Sequence, residues 1–402
     1  MNKKVLIVVA IALAVVLIVG GVLIFAPSQN FTVAFYRIDG KQRQGITDVI
    51  NKIAEEHKFS VVFNQYDSEK SLDSQLLLSK KPNLILTTGG FAVSSAVGSA
   101  SKKAALSSDI SGGMTSSMRS AIKQKDDKIF AVPFLSSHFE VDIDTQEFRD
   151  SSVKNINTWN DMEKFMLDQK KRKDSPFIFA GGEHDTFLDM IGAFAESLDG
   201  LSSYTQAAKI LKENEKDFNA VKVAALLCDE PDSPLATTIK TLKNWYLRGL
   251  IHQGVFSFKS TDVDAFADSR LASILIMSLE DHRATSQKSI SRFTSIYFPS
   301  EHGANSRVFT GKTYYAVPVK KSSKNQILLS ALLSQTYQEN LSRATGLAPV
   351  LAQCRTPDKQ ADDARYWIAA TTAPLAGLSS EVYLTAEQKK TLAAEIISRI
   401  RY

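Results

Sequence analysis

The sequence predicts an α/β protein of two lobes, preceded by one N-terminal transmembrane helix. Strand-like and helix-like patterns alternate along the chain, which is typical of a mainly parallel sheet covered by helices. The chain has 402 residues, and the part that follows the N-terminal apolar run is longer than one ordinary core holds, which indicates two lobes. The apolar run itself is long enough to cross a membrane.

The N-terminal apolar run extends from Val5 to Ala26 without a charged residue. As a helix, its 22 residues would span about 33 Å, which is enough for the hydrocarbon core of a bilayer. Lys3 and Lys4 precede the run, and the first charged residue after it is Arg37. The positive-inside rule therefore places the N-terminus in the cytoplasm and the globular part on the extracytoplasmic, periplasmic side.

The residues around Ala26 bear on whether the run is a cleaved signal peptide or a signal anchor. A cut after Ala26 would have bulky Ile24 where a small residue is preferred, and Pro27 directly after the cut. We therefore predict an uncleaved, single-pass anchor in the cytoplasmic membrane, with cleavage as the alternative. In this prediction residues 1–30 form the anchor and a short tether, and residues 5–26 contact the lipid bilayer.

Composition and cysteine content exclude several classes. The chain is 44% hydrophobic and 23% charged with a net charge of +5, but its basic residues are spread out, so nucleic-acid binding is not predicted. No cysteine lies near the apolar run, so a lipid-modified anchor is excluded. Cys228 and Cys354 are the only thiols and provide neither a disulfide framework nor metal-site spacing. Whether they pair with each other stays open.

The order of elements after the tether is strand, helix, strand, helix, strand. The predicted elements are a strand at Phe31 to Tyr36, a helix at Gly45 to His57, a strand at Ser60 to Asn64, a short helix at Leu72 to Leu78 and a buried strand at Asn83 to Thr87. Ligands of parallel sheets bind beyond the carboxyl ends of the strands. The loop at residues 37–44 and the turn at residues 87–91 are therefore candidate ligand contacts.

Seven segments between residues 31 and 350 together carry a resemblance to a known family. They are FTVAFYRIDGKQRQG, KPNLILTTGG, KIFAVPFLSSHFEVDIDTQEF, NTWNDMEKFM, DAFADSRLASILIMS, RVFTGKTYYAVPVKKSSKNQILLSALLSQTY and GLAPV. In this order they resemble segments of the extracellular solute-binding proteins of ABC importers, most closely the sugar-binding branch that includes the maltose-binding proteins. Asn83 stands where this family usually has Asp.

The resemblance implies a periplasmic-binding-protein type II clamshell, in which two lobes close on a solute at the hinge. It assigns residues 31–134 plus 266–311 to lobe one and residues 135–265 plus 312–402 to lobe two. The implied function is an extracytoplasmic receptor that binds a small solute, with a carbohydrate favoured, and presents it to ABC permease subunits in the membrane. A membrane-anchored sensor or scaffold that keeps the fold without transport is the alternative, because a transmembrane anchor departs from the family's usual soluble or lipid-tethered receptors.

The predicted ligand-binding residues come from the strand ends, the crossovers and the aromatic side chains that a sugar would contact. They are Arg37, Asp39, Lys41, Gln42, Thr87, Thr88, Gly89, Ser136, Ser137, Tyr314, Tyr315 and Trp367. The first loop equally suits a solvated loop, and the threonines equally suit a helix cap. Both alternatives remain open at this point.

A strand with alternating acidic residues follows the first crossover. His138, Glu140, Asp142 and Asp144 would share one face, but neighbours on that face stand roughly 6–7 Å apart, which suits one metal ion poorly. We therefore predict a solvated or cleft-lining hinge strand and assign no metal ligands. A metal site is the alternative if lobe closure brings this strand together with Glu183, His184 and Asp185. The GGEHD segment at residues 181–185 is predicted to begin a helix, where acidic side chains interact favourably with the helix dipole.

No catalytic signature is present in the sequence. It lacks a G-x-S-x-G elbow, an H-E-x-x-H motif, a Walker loop and a dinucleotide-binding glycine fingerprint, and its six histidines are scattered. We therefore predict no enzymatic activity and no cofactor. At the C-terminus, residues 384–400 predict an amphipathic helix that begins with a capping box of Thr385 and Gln388.

Overall fold

A computed structural model describes most of the chain, namely residues 30–38, 40–301, 309–356, 367 and 374–402. The predicted membrane segment, nearly all of the tether and the predicted ligand residue Asp39 lie outside these ranges. Among the described helices, none has both the length and the apolar composition that crossing a bilayer requires.

The strands of the described residues are numbered β1 to β13 in chain order. They are β1 (Phe31–Tyr36), β2 (Val61–Gln65), β3 (Leu84–Thr88), β4 (Lys123–Lys125), β5 (Lys128–Ser136), β6 (Phe139–Asp144), β7 (Phe177–Phe179), β8 (Ile274–Ser278), β9 (Phe293–Ile296), β10 (Phe309–Thr310), β11 (Thr313–Pro318), β12 (Ala348–Pro349) and β13 (Pro374–Leu375).

The α-helices of the described residues are numbered α1 to α17 in the same way. They are α1 (Gly40–Glu56), α2 (Leu72–Leu78), α3 (Phe91–Ser99), α4 (Ser116–Ser120), α5 (Thr145–Asp150), α6 (Trp159–Lys170), α7 (His184–Asp199), α8 (Leu201–Glu213), α9 (Ala220–Cys228), α10 (Ala236–Leu247), α11 (Ser260–Asp268), α12 (Leu279–Ala284), α13 (Gln287–Ile290), α14 (Ser323–Leu332), α15 (Gln335–Thr345), α16 (Leu378–Glu381) and α17 (Ala386–Arg401). Short 3₁₀ turns occur at Lys102–Ala104, Ser108–Ser111 and Val255–Ser257.

The first sheet contains β1, β2 and β3 in the parallel arrangement that the sequence predicts. Its order is β12-β5-β11-β3-β1-β2, with β4 paired to β5. In register, Phe31 faces Val61 and Val33 faces Leu84. The sheet as a whole is mixed rather than mainly parallel, because β11 runs antiparallel to both β3 and β5.

The second sheet is smaller and has the order β7-β8-β6-β9. Strand β6 is antiparallel to both of its neighbours, whereas β7 and β8 are parallel. The carboxyl ends of β7 and β8 therefore meet at one edge of this sheet. That edge carries part of the candidate site described below.

The two sheets define two lobes, and the structure places the return segments differently from the predicted division. Strands β8 and β9, which the prediction gave to lobe one, lie in the second sheet, and β11 lies in the first sheet. The first lobe thus comprises residues 31–136 and 313–354, and the second comprises residues 139–300 and 374–402. The apolar pattern of β8 is common to strands buried in either sheet, so it does not specify the sheet to which β8 belongs.

Each sheet has a hydrophobic core on both faces. In β1, Val33 and Phe35 pack on one face while Ala34 and Tyr36 pack on the other, as the alternation of a strand requires. In the second lobe, β6 contributes Val141 to the larger core, which also holds helices α7 and α17. Burial on both faces fixes the strand ends firmly, and those ends position the site.

The C-terminal helix α17 begins with the capping box that the sequence predicts. Thr385 accepts a hydrogen bond from the backbone N–H of Gln388, and the Gln388 side chain accepts one from the backbone N–H of Thr385. Leu392, Ile396 and Ile400 are buried in the core of the second lobe. The helix therefore packs on the second lobe, as predicted.

Candidate functional site between the two lobes

Two crossover segments run side by side where the chain passes between the lobes. Ser137 and His138 join β5 to β6, and the segment before β11 returns to the first lobe. The backbone N–H of Ser137 donates to the carbonyl of Lys312 over 2.8 Å. A Cβ atom at Gly311 would overlap the carbonyl oxygen of Ser137, so this close approach requires glycine.

A cavity of about 300 Å³, here called the crossover cavity, opens beside these segments. Lys41 and Gln42, from the first turn of α1, line it on the first-lobe side. The second lobe and the crossovers contribute the remaining polar lining, which includes Ser137, His138, Glu183, Thr186, Asp189, Glu280, Asp281 and Lys312. A small molecule in the crossover cavity would therefore contact both lobes at once.

The N-terminus of α7 forms one wall of the crossover cavity. Glu183 precedes the helix, as the sequence predicts for this acidic segment, and accepts hydrogen bonds from Ser260 through its backbone N–H at 2.8 Å and its hydroxyl at 3.1 Å. Asp189 lies further along the helix and accepts a bond from the backbone N–H of Ser379 over 2.8 Å. Burial raises the pKa of Asp189 to about 6 despite that bond.

Helix α12, which follows β8, forms a second wall on the same lobe. Its Glu280 accepts hydrogen bonds from the hydroxyl groups of Ser137 and Tyr314, the latter over 3.0 Å. The next residue, Asp281, accepts one from the Ser278 hydroxyl over 2.7 Å, and burial raises the pKa of Asp281 above its usual value. Two predicted site residues therefore contact a carboxylate that sequence reasoning missed.

The predicted ligand residues do not converge on one place. Lys41, Gln42 and Ser137 line the crossover cavity, whereas Gly89 and Tyr315 line a second cavity of about 420 Å³ between α8 and the first sheet, here called the second cavity. The other predicted strand residues are buried within the first sheet, namely Thr87, Thr88, Ser136 and Tyr314.

Arg37 lies at a contact between the lobes rather than in the crossover cavity. Its guanidinium stacks over the ring of Phe91, 4.9 Å from the centroid, and lies 3.9 Å from the carboxylate of Asp185 on α7. Asp185 also pairs with Lys389 of α17 over 2.6 Å. Arg37 thus connects the end of β1 to the second lobe.

Further contacts between the lobes surround Glu69. The hydroxyl of Tyr383 donates to the Glu69 carbonyl over 2.7 Å, and the backbone N–H of Ala386 donates to the Glu69 carboxylate over 2.9 Å. The ring of Tyr383 also meets that of Phe91 edge to face, with 5.7 Å between centroids. The lobes are therefore in contact on this side of the crossover cavity.

Trp367 is half-buried and its ring lies against the crossover. Its ring centroid is 5.0 Å from that of His138, which lines the crossover cavity, and 5.8 Å from that of Tyr297. This position places an aromatic side chain beside the crossover cavity, and its contact with a ligand stays a prediction.

The residues that sequence reasoning missed share one signal. Glu183 follows the end of β7, while Glu280 and Asp281 follow the end of β8. These strands are parallel, so the same rule that marked the strand ends of the first sheet applies to this edge of the second. The rule could not be applied from sequence alone, because the partners of β8 were not known.

The acidic strand at residues 139–144 was predicted to be solvated or to line the cleft, and most of its acidic side chains are instead buried inside the second lobe. Glu140 and Asp142 are fully buried, and both contact His282 of α12. Burial and the neighbouring Asp142 raise the pKa of Glu140 to about 7. Asp144 instead accepts bonds from the backbone N–H groups of Gln146 and Glu147, so it caps α5. His138, just before the strand, and Phe139 at its start line the crossover cavity, so the cleft-lining alternative holds at this end of the strand.

Solved structures of bacterial solute-binding proteins share this fold. The solute receptor AcbH, described as having an exclusive preference for β-D-galactopyranose, matches with a TM-score of 0.69 and 12% identity over 92% of this chain and 95% of its own. The putative binding protein MsmE of Bacillus subtilis, in an open conformation, matches with a TM-score of 0.70 and 15% identity over 92% of this chain and 93% of its own. RafE in complex with raffinose matches with a TM-score of 0.65 and 10% identity over 92% of this chain and 96% of its own.

Sequence comparisons add nothing to this likeness. No family model matches the chain, and no curated protein matches it. At these identities the similarity shows a two-lobe α/β fold of the solute-binding type. The chemistry of the crossover cavity must therefore indicate the ligand.

Proposed function

We propose that this chain is an extracytoplasmic receptor that binds a carbohydrate in the crossover cavity and presents it to the permease of an ABC importer. The observation that carries the proposal is the crossover cavity itself, because it lies at the crossovers and takes polar side chains from both lobes. Sites between two domains are a preferred location for small ligands.

The lining of the crossover cavity suits a polyhydroxylated solute. Glu183, Asp189, Glu280 and Asp281 offer carboxylate acceptors for hydroxyl groups, and Lys41 and Lys312 offer charged donors. Hydrogen bonds to charged groups are stronger than those between neutral groups. Trp367, beside His138, would supply an apolar ring for the C–H face of a sugar. The ligands of AcbH and RafE, β-D-galactopyranose and raffinose, are both sugars and support the same class.

The two-lobe arrangement would couple binding to a change in shape. A solute that contacts α1 on one side and α7 and α12 on the other stabilises the conformation in which the lobes approach each other, by its difference in affinity for the two states. Hinge closure of this kind would be the signal that a permease recognises. No covalent step is involved, so the proposed function is binding without catalysis.

The N-terminal segment would keep the receptor at the membrane. Residues 5–26 are proposed to span the cytoplasmic membrane once, with the two lobes outside the cytoplasm. Tethering raises the concentration of the receptor near a permease in the same membrane. The short tether would hold the lobes close to that surface.

A thermal-shift screen of the full chain in detergent tests the proposal. The panel contains galactose, raffinose, and chitin and xylan oligosaccharides, with amino acids and oligopeptides as the non-sugar arm. A carbohydrate at 100 times its dissociation constant should stabilise the folded chain by about 2.7 kcal/mol. Stabilisation by the non-sugar arm alone would contradict the carbohydrate class, and no stabilisation at all would favour the anchored sensor or scaffold.

A pair of lysine variants of α1 locates the binding site. Lys41→Ala removes a donor from the crossover cavity and should weaken carbohydrate binding at least tenfold, because a charge-assisted bond contributes roughly 1.5–3 kcal/mol. Lys52→Ala removes an exposed lysine of the same helix that does not line the cavity, and it should bind like wild type. Equal affinities of the two variants, measured by calorimetry, would place the solute elsewhere.

A further inference from the structure

Glu140, Asp142 and His282 form a cluster in the interior of the second lobe, here called the buried triad. The two carboxylates project from β6, and the imidazole projects from α12. Nδ1 of His282 lies 2.6 Å from a carboxylate oxygen of Glu140 and 3.2 Å from one of Asp142. The side chains are 0%, 0% and 3% exposed, so solvent does not solvate their charges.

The buried triad has polar atoms whose hydrogen-bonding capacity is unsatisfied by the described residues. Oε2 of Glu140, Oδ2 of Asp142 and Nε2 of His282 each lack a hydrogen-bond partner within the described part of the chain. Buried polar atoms are nearly always hydrogen-bonded, and leaving them unpaired is costly. Three such atoms in one cluster indicate that a further group binds here.

Charge gives the same indication. Within the triad, two carboxylates face a single imidazole, so without a cation the three side chains are neutral together only when both His282 and Glu140 carry a proton. A divalent cation bound by two carboxylates and a neutral imidazole balances the three side chains completely. A buried charge is tolerated when it is paired or coordinates a metal.

We propose that the buried triad binds one divalent transition-metal ion, with Zn²⁺ as the representative ion. One potential ligand atom from each side chain lies within 4.8 Å of the other two. Ligand atoms at bonds of about 2.0–2.1 Å in a tetrahedral site stand roughly 3.3 Å apart, which lies inside the range that the triad spans. An imidazole beside carboxylates favours Zn²⁺ and its neighbours over Ca²⁺ or Mg²⁺.

The surroundings supply support for such a ligand set. The Ser295 hydroxyl of β9 donates to Oδ1 of Asp142 over 2.7 Å and so orients that carboxylate. Outer hydrogen bonds of this kind orient the ligands of metal sites. The triad also connects β6 to α12, and Glu280 and Asp281 on α12 line the crossover cavity. The metal ion would therefore fix one wall of that cavity.

Calorimetric titration of the full chain with ZnCl₂ alone, after removal of metals by a chelator, tests the proposal. The expected result is saturable binding of one ion per chain. Glu140→Gln removes a ligand charge in the interior and should weaken the binding at least tenfold. The matched control is His57→Gln, which removes an exposed histidine far from the triad in sequence and should leave the affinity unchanged.

A second measurement covers the case in which Glu140→Gln fails to fold. X-ray absorption of the unmodified, Zn²⁺-loaded chain should show a first shell of nitrogen and oxygen atoms with the scattering of one imidazole. Absence of binding, binding that Glu140→Gln leaves unchanged, or a shell without imidazole would each overturn the proposal. In that case His282 is a buried imidazolium that only bridges the two carboxylates by hydrogen bonds.

Discussion

At the scale of single residues, the crossover cavity is notable for its carboxylates. Asp189 is 3% exposed, yet it faces a cavity that also holds Glu183, Glu280 and Asp281. Burial disfavours the ionised form, so the pKa of Asp189 is raised although Ser379 donates a hydrogen bond to it. A solute hydroxyl that donates a hydrogen bond to Asp189 would stabilise its ionised form.

The raised pKa of Asp189 predicts a specific dependence of stability on pH. Because the folded chain holds this proton up to about pH 6, whereas the unfolded value is 3.8, the free energy of unfolding falls as pH rises between these values. Asp189→Asn removes this loss and should be more stable than wild type by about 3 kcal/mol at pH 7. At pH 4 the two should differ little. Urea unfolding at both pH values checks this, and a constant difference would contradict it.

The residues whose structural role was predicted correctly from the sequence act through near neighbours in the chain. Thr385 and Gln388 make the capping box that their spacing predicts, and Phe31 to Tyr36 form the predicted strand, because caps and alternation depend on near neighbours. Glu280 was missed, because its role depends on hydroxyl groups of Ser137 and Tyr314 that are distant in sequence. His282 was missed for the same reason, because its partners Glu140 and Asp142 lie on β6, far from it in sequence.

At the scale of elements, the two crossovers depend on a close backbone approach. Gly311→Ala would place a methyl group against the carbonyl oxygen of Ser137, which cannot move without displacing the first crossover. Overpacking of this kind costs about 1–3 kcal/mol, so we predict that loss of stability together with weaker solute binding. Chemical denaturation of the variant measures the first effect.

Gly98→Ala is the control for Gly311→Ala. A Cβ atom at Gly98, in α3, would meet nothing within 4 Å, so the substitution should stabilise the chain by about 0.5–1 kcal/mol through helix propensity. If both variants lost the same stability, the crossover contact would not be the cause.

Lobe membership could not be predicted at this scale, although the elements themselves could. The segments that contain β8 and β11 are among the seven on which the family resemblance rests, and each contains a strand. Their sheets were interchanged in the prediction, because an apolar strand does not specify its partner. Strand pairing was decided instead by contacts distant in sequence, such as those of β11 with β3 and β5.

At the scale of the whole molecule, the lobes meet on one side of the crossover cavity. Tyr383 and Ala386 contact Glu69, and Arg37 approaches Asp185. Gly90, with φ of +74°, lies so close to Ser380 of the second lobe that a Cβ atom would overlap its carbonyl oxygen. These contacts favour the conformation in which the lobes approach each other.

Gly90→Ala should therefore shift the lobes apart. The new methyl group overlaps the backbone of the other lobe, and the positive φ adds strain for any side chain. We predict a larger radius of gyration in small-angle X-ray scattering and weaker solute binding, because the conformation that binds both walls becomes less populated. Scattering identical to that of Gly98→Ala would contradict this account of the lobe contact.

The central claim is that one carbohydrate contacts both lobes in the crossover cavity. Hydrogen–deuterium exchange tests it most directly, measured on the full chain with and without the best-binding carbohydrate. Amides in the first turn of a helix lack intrahelical partners, so they report a bound ligand sensitively. The account predicts slower exchange at the starts of α1, α7 and α12 together. Protection confined to one lobe, or none with any carbohydrate, would contradict it.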